Sequence, residues 1–156
     1  MKQKSGPWLI CLLLFAGTFT AKAQNTIGIF DGQNDIGRVK HAGSGTYDMA
    51  AQRYTLAGSG TNIWGTHDEF HYMWKKMKGD FILRTNIAFL GKGVEEHRKI
   101  GWMVRSSLDT NSMHVSAVVH GAGLTSLQFR RKASAVTEEK KFTLTGADVV
   151  QLERKD

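Results

Sequence analysis

Two histidines four residues apart are the first candidates for chemistry in this chain. His67 and His71 enclose Asp68 and Glu69. The spacing resembles the zinc motif H-E-x-x-H, in which both histidines lie on one face of a helix. The surrounding residues alternate as in a strand, where positions four apart are separated by about 13 Å at a rise of roughly 3.3 Å per residue. Such a separation is too large for one zinc ion with bonds near ~2 Å, so we expect polar strand residues and no metal site.

Adjacent carboxylates are the second candidates, because glycoside hydrolases need two carboxyl groups facing each other across a cleft. Glu95-Glu96 and Glu138-Glu139 are neighbours in the chain. If extended, adjacent side chains point to opposite faces, and both pairs lie in charged segments that favour loops. Asp68-Glu69 has the same problem, and no E-x-D-x-E run occurs. We therefore expect solvated charges and no catalytic residues.

Motifs for nucleophilic or cofactor chemistry are missing from the sequence. No G-x-S-x-G elbow is present, and neither a phosphate loop nor a dinucleotide fingerprint occurs. Gly43-Ser44-Gly45 and Gly58-Ser59-Gly60 are typical of turns. We expect no cofactor.

A row of polar residues is a better candidate for binding. Arg105, His114, Gln128 and Arg130 lie on successive predicted strands. If Arg105, His114 and Arg130 share a face, they line a concave polar surface. Such charges are costly to bury without partners, so we predict an open groove. The alternative is an ordinary solvated sheet face.

Three tryptophans could complete this groove. Sugar rings stack their C–H faces on flat aromatic rings, while their hydroxyls need polar partners. The predicted glycan groove therefore comprises seven residues: Trp64, Trp74, Trp102, Arg105, His114, Gln128 and Arg130. The alternative for each tryptophan is packing in the core.

Strands must position these residues, and the sequence predicts them from apolar residues that alternate with period two. The predicted strands cover residues 70–75, 81–90, 100–105, 113–120 and 124–131, and Gly121-Ala122-Gly123 predicts a hairpin between the last two. Several short strands without helical periodicity predict a single all-β domain, a sandwich or barrel.

The last residues predict one more strand. Asp148 to Lys155 alternates as a strand does, and no turn follows it. An edge strand without its partner is exposed to aggregation. We therefore expect the domain to be truncated at its C-terminus.

Residues 1–23 are predicted to be a signal peptide. Lys2 and Lys4 precede an apolar run over residues 8–19, and Ala21-Lys22-Ala23 forms an A-x-A cleavage site. The run of about 12 residues is short for a membrane span, which needs roughly 20. Cys11 lies inside this run, which disfavours a lipoprotein. We predict an exported domain over residues 24–156, periplasmic or extracellular, with no membrane span after cleavage.

Composition restricts the partners of this domain. Cleavage removes the single Cys, the single Pro, three lysines and no acid, so the formal charge falls from +7 to +4. A domain without cysteine has no disulfides and must rest on its hydrophobic core. The mild positive charge does not indicate nucleic-acid binding.

A resemblance to a known family emerges from motifs in a fixed order. They are Gly58-Ser59-Gly60, Ile63-Trp64, Asp68-Glu69-Phe70-His71-Tyr72, Gly79-Asp80-Phe81 and Ile100-Gly101-Trp102-Met103-Val104-Arg105. Residues 27–131 resemble the concanavalin A-like jelly-roll family of unknown function related to "regulation of enolase". The similarity is to the form that precedes TolB-type β-propellers in exported bacterial proteins.

That resemblance implies a jelly-roll sandwich of two antiparallel sheets with a carbohydrate-binding or accessory role. Trp102 and Arg105 match the family's most distinctive motif. The family offers no established catalytic residues to carry over, and its domains continue beyond the position of Lys155. A TolB-like propeller is expected downstream. The alternatives are a protein-interaction module of a cell-envelope assembly and, less favoured, a glycoside hydrolase.

Overall fold

The fold is known from a computed structural model that describes residues 27–93 and 95–155. The predicted signal peptide, with Cys11, lies outside the described residues. Twelve strands are present there: β1 Gly32–Ile36, β2 Ser44–Asp48, β3 Arg53–Ala57, β4 Ile63–Trp64, β5 His67–Asp68, β6 Phe70–Trp74, β7 Phe81–Asn86, β8 Lys99–Arg105, β9 His114–His120, β10 Leu124–Arg130, β11 Glu138–Thr145 and β12 Val149–Arg154. Within the same residues, no helix is long and apolar enough to cross a membrane.

The largest sheet has four antiparallel strands in the order β11-β10-β9-β8. Strands β9 and β10 form the predicted hairpin, and Gly123 turns it with a φ of 91°. A side chain larger than hydrogen is disfavoured at this backbone angle. The predicted strands over residues 100–105, 113–120 and 124–131 are therefore confirmed within one residue at each end.

The remaining strands form antiparallel pairs, β1-β6, β2-β3, β4-β5 and β12-β7. The strand predicted over residues 148–155 is confirmed as β12, but the expectation that it lacks a partner is wrong. It pairs with β7 along its whole length, from Val149 opposite Asn86 to Arg154 opposite Phe81. Its inward residues Val150 and Leu152 are buried where β12 packs against β8 and β9.

The segment with Glu138-Glu139 is a further correction, because it forms strand β11 rather than a loop. β11 lies at the edge of the four-stranded sheet. Edge strands tolerate charged side chains and use them against unwanted pairing. A charged sequence is therefore compatible with a strand at this position. The adjacent pair Glu95-Glu96 lies outside the strands, as predicted.

The core is built around strand β9, whose two faces are both covered. Val118 and Val119 point to opposite faces and are only 5% and 3% exposed. Aromatic rings extend the core beside β8. The ring centroid of Phe30 lies 6.3 Å from that of Trp102 and 5.1 Å from that of Tyr54, which it meets edge-on. The described part of the chain is all-β with antiparallel sheets, consistent with a β-sandwich.

Candidate functional site

One face of the four-stranded sheet is polar, and strand register brings its residues together. Arg105 lies opposite His114, which lies opposite Arg130 on its other side. Lys99 lies opposite His120, and Gln128 lies opposite Glu139. Because side chains at alternate positions share a face, these residues line one surface, here called the polar face. The prediction that Arg105, His114 and Arg130 share a face is confirmed.

The short hairpin of β4 and β5 covers one part of the polar face. Asp68, at the end of β5, is fully buried. Arg130 donates to both of its carboxylate oxygens, from Nη1 to Oδ2 at 2.9 Å and from Nη2 to Oδ1 at 2.7 Å. Arg105 Nη2 lies 3.4 Å from Asp68 Oδ2. We call Asp68, Arg105 and Arg130 the arginine cluster.

Further acceptors surround both guanidinium groups of the arginine cluster. Arg130 donates to Thr137 Oγ1 and to the carbonyl oxygens of Ser112 and Gly65 at 3.0 to 3.2 Å. Arg105 donates from Nε to the carbonyl oxygen of Ser107 at 2.6 Å. A buried charge is tolerated when it is paired and hydrogen-bonded in this way. This cluster therefore anchors the hairpin to the sheet.

The expectation of an open groove over this row is wrong. The side chains of Arg130 and Arg105 are 0% and 2% exposed, and His114 and Gln128 are 4% and 1% exposed as residues. The physical reason is the negative charge of Asp68, which offsets the desolvation cost of burying the two arginines. Whether any of these residues binds a ligand stays a prediction.

His114 is a neutral histidine beside the arginine cluster. Its Nδ1 lies 3.1 Å from Ser116 Oγ, and its Nε2 is buried without a partner. Burial, opposed by the charge of Asp68 and reinforced by the two arginines, lowers the pKa of His114 to about 4. Its ring carries no charge at neutral pH.

A second group on the polar face, formed by Lys99, His120, Gln128 and Glu139, is here called the histidine–glutamate cluster. Gln128 Nε2 donates to Glu139 Oε1 at 2.9 Å and lies 3.3 Å from His120 Nε2. The carboxylate fixes the orientation of the Gln128 amide, so the second N–H of Nε2 faces His120. His120 Nε2 must then be the acceptor, and the proton lies on Nδ1.

Electrostatics agree that the imidazole ring of His120 is neutral. Burial and the nearby ammonium of Lys99 lower the pKa of His120 to about 4. Burial raises the pKa of Glu139, but the hydrogen bond from Gln128 and the charge of Lys141 outweigh it, so the pKa of Glu139 is lowered. At neutral pH the cluster therefore contains a neutral imidazole, a carboxylate and an ammonium group.

Two hydrogen-bonding atoms of this cluster have no partner among the described residues. They are His120 Nδ1, a donor, and Gln128 Oε1, an acceptor, and both are buried. The cluster reaches the surface at Lys99, which is part-buried, and at Glu139, whose side chain is 13% exposed. A depression of about 210 Å³ adjoins His120 and includes Ile87 and Phe89 in its wall.

The three predicted tryptophans do not lie together. Trp102 is on β8 but points to the face opposite Arg105, toward Phe30. Trp74 is on β6 and donates to Asn34 Oδ1 at 2.7 Å. Trp64 is on β4, in the hairpin over the polar face, and is 42% exposed. Of the three, only Trp64 is exposed, and it pairs with the exposed His67 on the outer face of the hairpin.

The His67/His71 pair lies on strands, as predicted. His67 is exposed on β5, whereas His71 on β6 is enclosed by Asp35 and Gln33 of β1. His71 Nδ1 lies 2.9 Å from Asp35 Oδ1, and Nε2 lies 2.9 Å from Gln33 Oε1. No group of three or more metal-ligating side chains occurs in the part of the chain that the structure describes.

Sequence reasoning missed Lys99 and His120, and it set aside Glu139 and Asp68 as solvated charges. A signal for two of them was available, since Lys99 has the same parity as Arg105 on one strand and His120 the same parity as His114 on the next. Asp68 is distant in sequence from both arginines. Only the fold brings it to them.

Comparison with known proteins gives no relative. No family model, curated protein or solved structure matches this chain.

Proposed function

We propose that the chain is a non-catalytic, exported glycan-binding or accessory module, with its site at the histidine–glutamate cluster. The observation that carries the proposal is the unpaired donor of His120 Nδ1 and the unpaired acceptor of Gln128 Oε1 on one polar face. Buried polar atoms without partners cost about 1–3 kcal/mol each. A sugar hydroxyl, which both donates and accepts, has the chemistry to satisfy such atoms.

The surroundings of His120 support a sugar ligand. Ile87 and Phe89 give the neighbouring depression an apolar wall, and Asp148 adds a polar group. Sugar rings present both apolar C–H faces and hydroxyls, so a mixed surface suits them.

A non-catalytic role is supported by the carboxylates of the polar face. Glu139 is the single carboxylate among the described strand positions of this face. Asp68, on the hairpin above, is held by two arginines and is fully buried. It therefore cannot act as the second carboxyl group of a hydrolase. A glycoside hydrolase remains the least favoured alternative, and loss of reducing-sugar release in an Asp or Glu variant would support it.

The motif resemblance supports the exported location in this proposal. A concanavalin-like jelly roll of the "regulation of enolase"-related family, in the form that precedes TolB-like propellers, would place the module in the cell envelope or outside the cell. In this proposal the module brings an attached propeller to a glycan surface.

The test is a glycan array, followed by titration of tryptophan fluorescence with each glycan that binds. Gln128→Leu removes the unpaired acceptor and the bond to Glu139, so we expect binding to weaken by about tenfold or more. Gln151→Leu is the matched control, since Gln151 is exposed on β12. Circular dichroism checks folding. Absence of any glycan bound by the folded protein would reject the proposal, and equal binding by both variants would reject this site.

The alternative of a protein-interaction module is favoured by a different surface. Phe142 and Leu144 on β11 are 48% and 62% exposed, and they border a groove of about 300 Å³ that includes Val149 and Val150. Exposed apolar patches of this kind are typical of protein-binding sites. This alternative predicts that an envelope protein bound by the chain is lost from a Leu144→Asp variant and is not displaced by sugars.

A further inference from the structure

The histidine–glutamate cluster has an excess of donors on one side, where Lys99 of β8 faces His120 of β9. The Lys99 ammonium donates to Asn62 Oδ1, a neutral oxygen. Among the described residues it forms no ion pair, although its side chain is part-buried. A part-buried ammonium with a neutral partner lacks compensation for its lost hydration.

His120 adds a second donor directly across from Lys99. Its Nδ1–H is buried without a partner, and the residue is only 4% exposed. The network that fixes this proton begins at Glu139 and passes through Gln128. The donor is therefore oriented before any ligand arrives, which reduces the entropy lost on binding.

The carboxylate of the same cluster does not neutralise Lys99. Glu139 accepts from Gln128 through Oε1, while its Oε2 lies 3.8 Å from Lys141 Nζ. Burial lowers the pKa of Lys99, and the more distant charges of Glu139, Asp68 and Glu95 only partly offset this effect. One positive charge and two kinds of N–H donor are thus left for an acceptor from outside the chain.

We infer that the ligand of this site is an acidic glycan whose anionic group accepts hydrogen bonds from Lys99 Nζ and His120 Nδ1. The inference rests on the proposed function and narrows its substrate class. A uronic acid supplies a carboxylate, and a sulfated sugar supplies a sulfate ester with the same acceptor chemistry. Hydrogen bonds to charged groups are about twice as strong as neutral ones, so charge would dominate selectivity at this site.

The experiment is an array that pairs each uronic-acid oligosaccharide with its neutral methyl ester, and each sulfated oligosaccharide with its desulfated form. Calorimetric titration of the purified protein then measures affinity. We expect the acidic member of at least one pair to bind about tenfold or more tightly than its neutral partner. The type of pair that responds distinguishes carboxylate from sulfate. Added salt should weaken only the acidic member.

A matched pair of lysine variants tests whether Lys99 causes the preference for the acidic member. Lys99→Gln should abolish the preference for the acidic member, while Lys140→Gln should keep it, because Lys140 is exposed on the opposite face of the sheet. Thermal unfolding checks that both variants fold. The comparison of acid with ester uses the unaltered protein and does not depend on either variant.

The outcomes separate this inference from the proposed function. If acidic and neutral members bind equally, the acidic class is wrong and glycan binding stands. If no glycan of either kind binds, both proposals fall. If Lys140→Gln removes the preference as fully as Lys99→Gln does, general surface charge explains it and the assignment to Lys99 is overturned.

Discussion

Mild acid should destabilise this protein through two buried neutral histidines. His114 and His120 are each 4% exposed, and burial lowers the pKa of both from 6.5 to about 4. The unfolded chain therefore binds protons at a higher pH than the folded protein does. Their contribution to stability is complete above about pH 6.5 and is lost as the pH falls toward 4.

The size of this effect follows from the difference between the folded and unfolded pKa. Each histidine costs up to about 1.4 kcal/mol per pH unit inside this window. Between pH 7 and pH 5 the loss is about 2 kcal/mol for one histidine and about 4 kcal/mol for both. Single domains are stable by only about 5–15 kcal/mol, so this loss is large.

Carboxylates with a lowered pKa add little to the change in the free energy of unfolding between pH 7 and pH 5. His71 and the backbone N–H of Gly43 hydrogen-bond to Asp35 and lower its pKa. Its contribution is present above the unfolded pKa of about 4 and is lost only below it. The lowered pKa of Glu139 acts in the same direction. The interval from pH 7 to pH 5 therefore isolates the histidines.

The assay is urea unfolding at pH 7, 6 and 5, which gives the free energy of unfolding at each pH. His114→Asn and His120→Asn should each remove about half of the pH dependence, whatever their effect at pH 7. His41→Asn is the matched control, because His41 is exposed, and it should leave the dependence unchanged. A free energy that is flat from pH 7 to pH 5 would refute the reasoning, as would an unchanged slope in both buried variants.

Three further predictions concern a buried ion pair, a close contact between strands and a side-chain hydrogen bond. Arg130→Met should lower the free energy of unfolding in urea by about 3–5 kcal/mol, because it leaves Asp68 buried without its main partner. The control Arg131→Met breaks an exposed ion pair and should cost about 1 kcal/mol or less. Equal losses would contradict a structural arginine cluster. Gly101→Ala should cost about 1–3 kcal/mol in the same assay, since its Cβ would clash with the carbonyl oxygen of Ala117. A variant as stable as the parent would show that the strands can separate. Asp35→Asn should speed amide hydrogen exchange at Gly43, whose N–H donates to the Asp35 carboxylate at 3.1 Å; unaltered exchange would count against this clamp.

Six of the twelve described strands, β6 to β10 and β12, were predictable because their signal is local. Alternation of buried and exposed residues in β7, and glycine at the turn between β9 and β10, are readable from neighbouring positions. The shared face of Arg105, His114 and Arg130 followed from parity once the strands were placed. Periodicity of this kind can be recognised in the sequence of one strand, without knowledge of its partner strand.

The closure of the polar face was not predictable, because it depends on contacts between distant segments. Asp68 and Arg130 are separated by 62 residues, and nothing local to either specifies the other. β11 was missed for a related reason, since its exposed edge position removes the apolar alternation that marks a buried strand. The pairing of β12 with β7 likewise depends on tertiary structure, which the C-terminal residues alone do not reveal.

The distribution of unpaired polar atoms is the strongest argument that part of the polar face binds something. Among the described residues, eight buried side-chain nitrogen or oxygen atoms lack a hydrogen-bond partner, and four of these belong to residues of the polar face. Folded proteins leave few such atoms, and each needs water, a ligand or another explanation. The arginine cluster satisfies nearly all of its donors internally, so loss of binding in an Arg105 variant would report collapse of the hairpin. The histidine–glutamate cluster keeps a fixed donor and a fixed acceptor unmet next to an ammonium group that reaches the surface. Variants of Lys99, which reaches the surface, are therefore the ones that can separate recognition from folding.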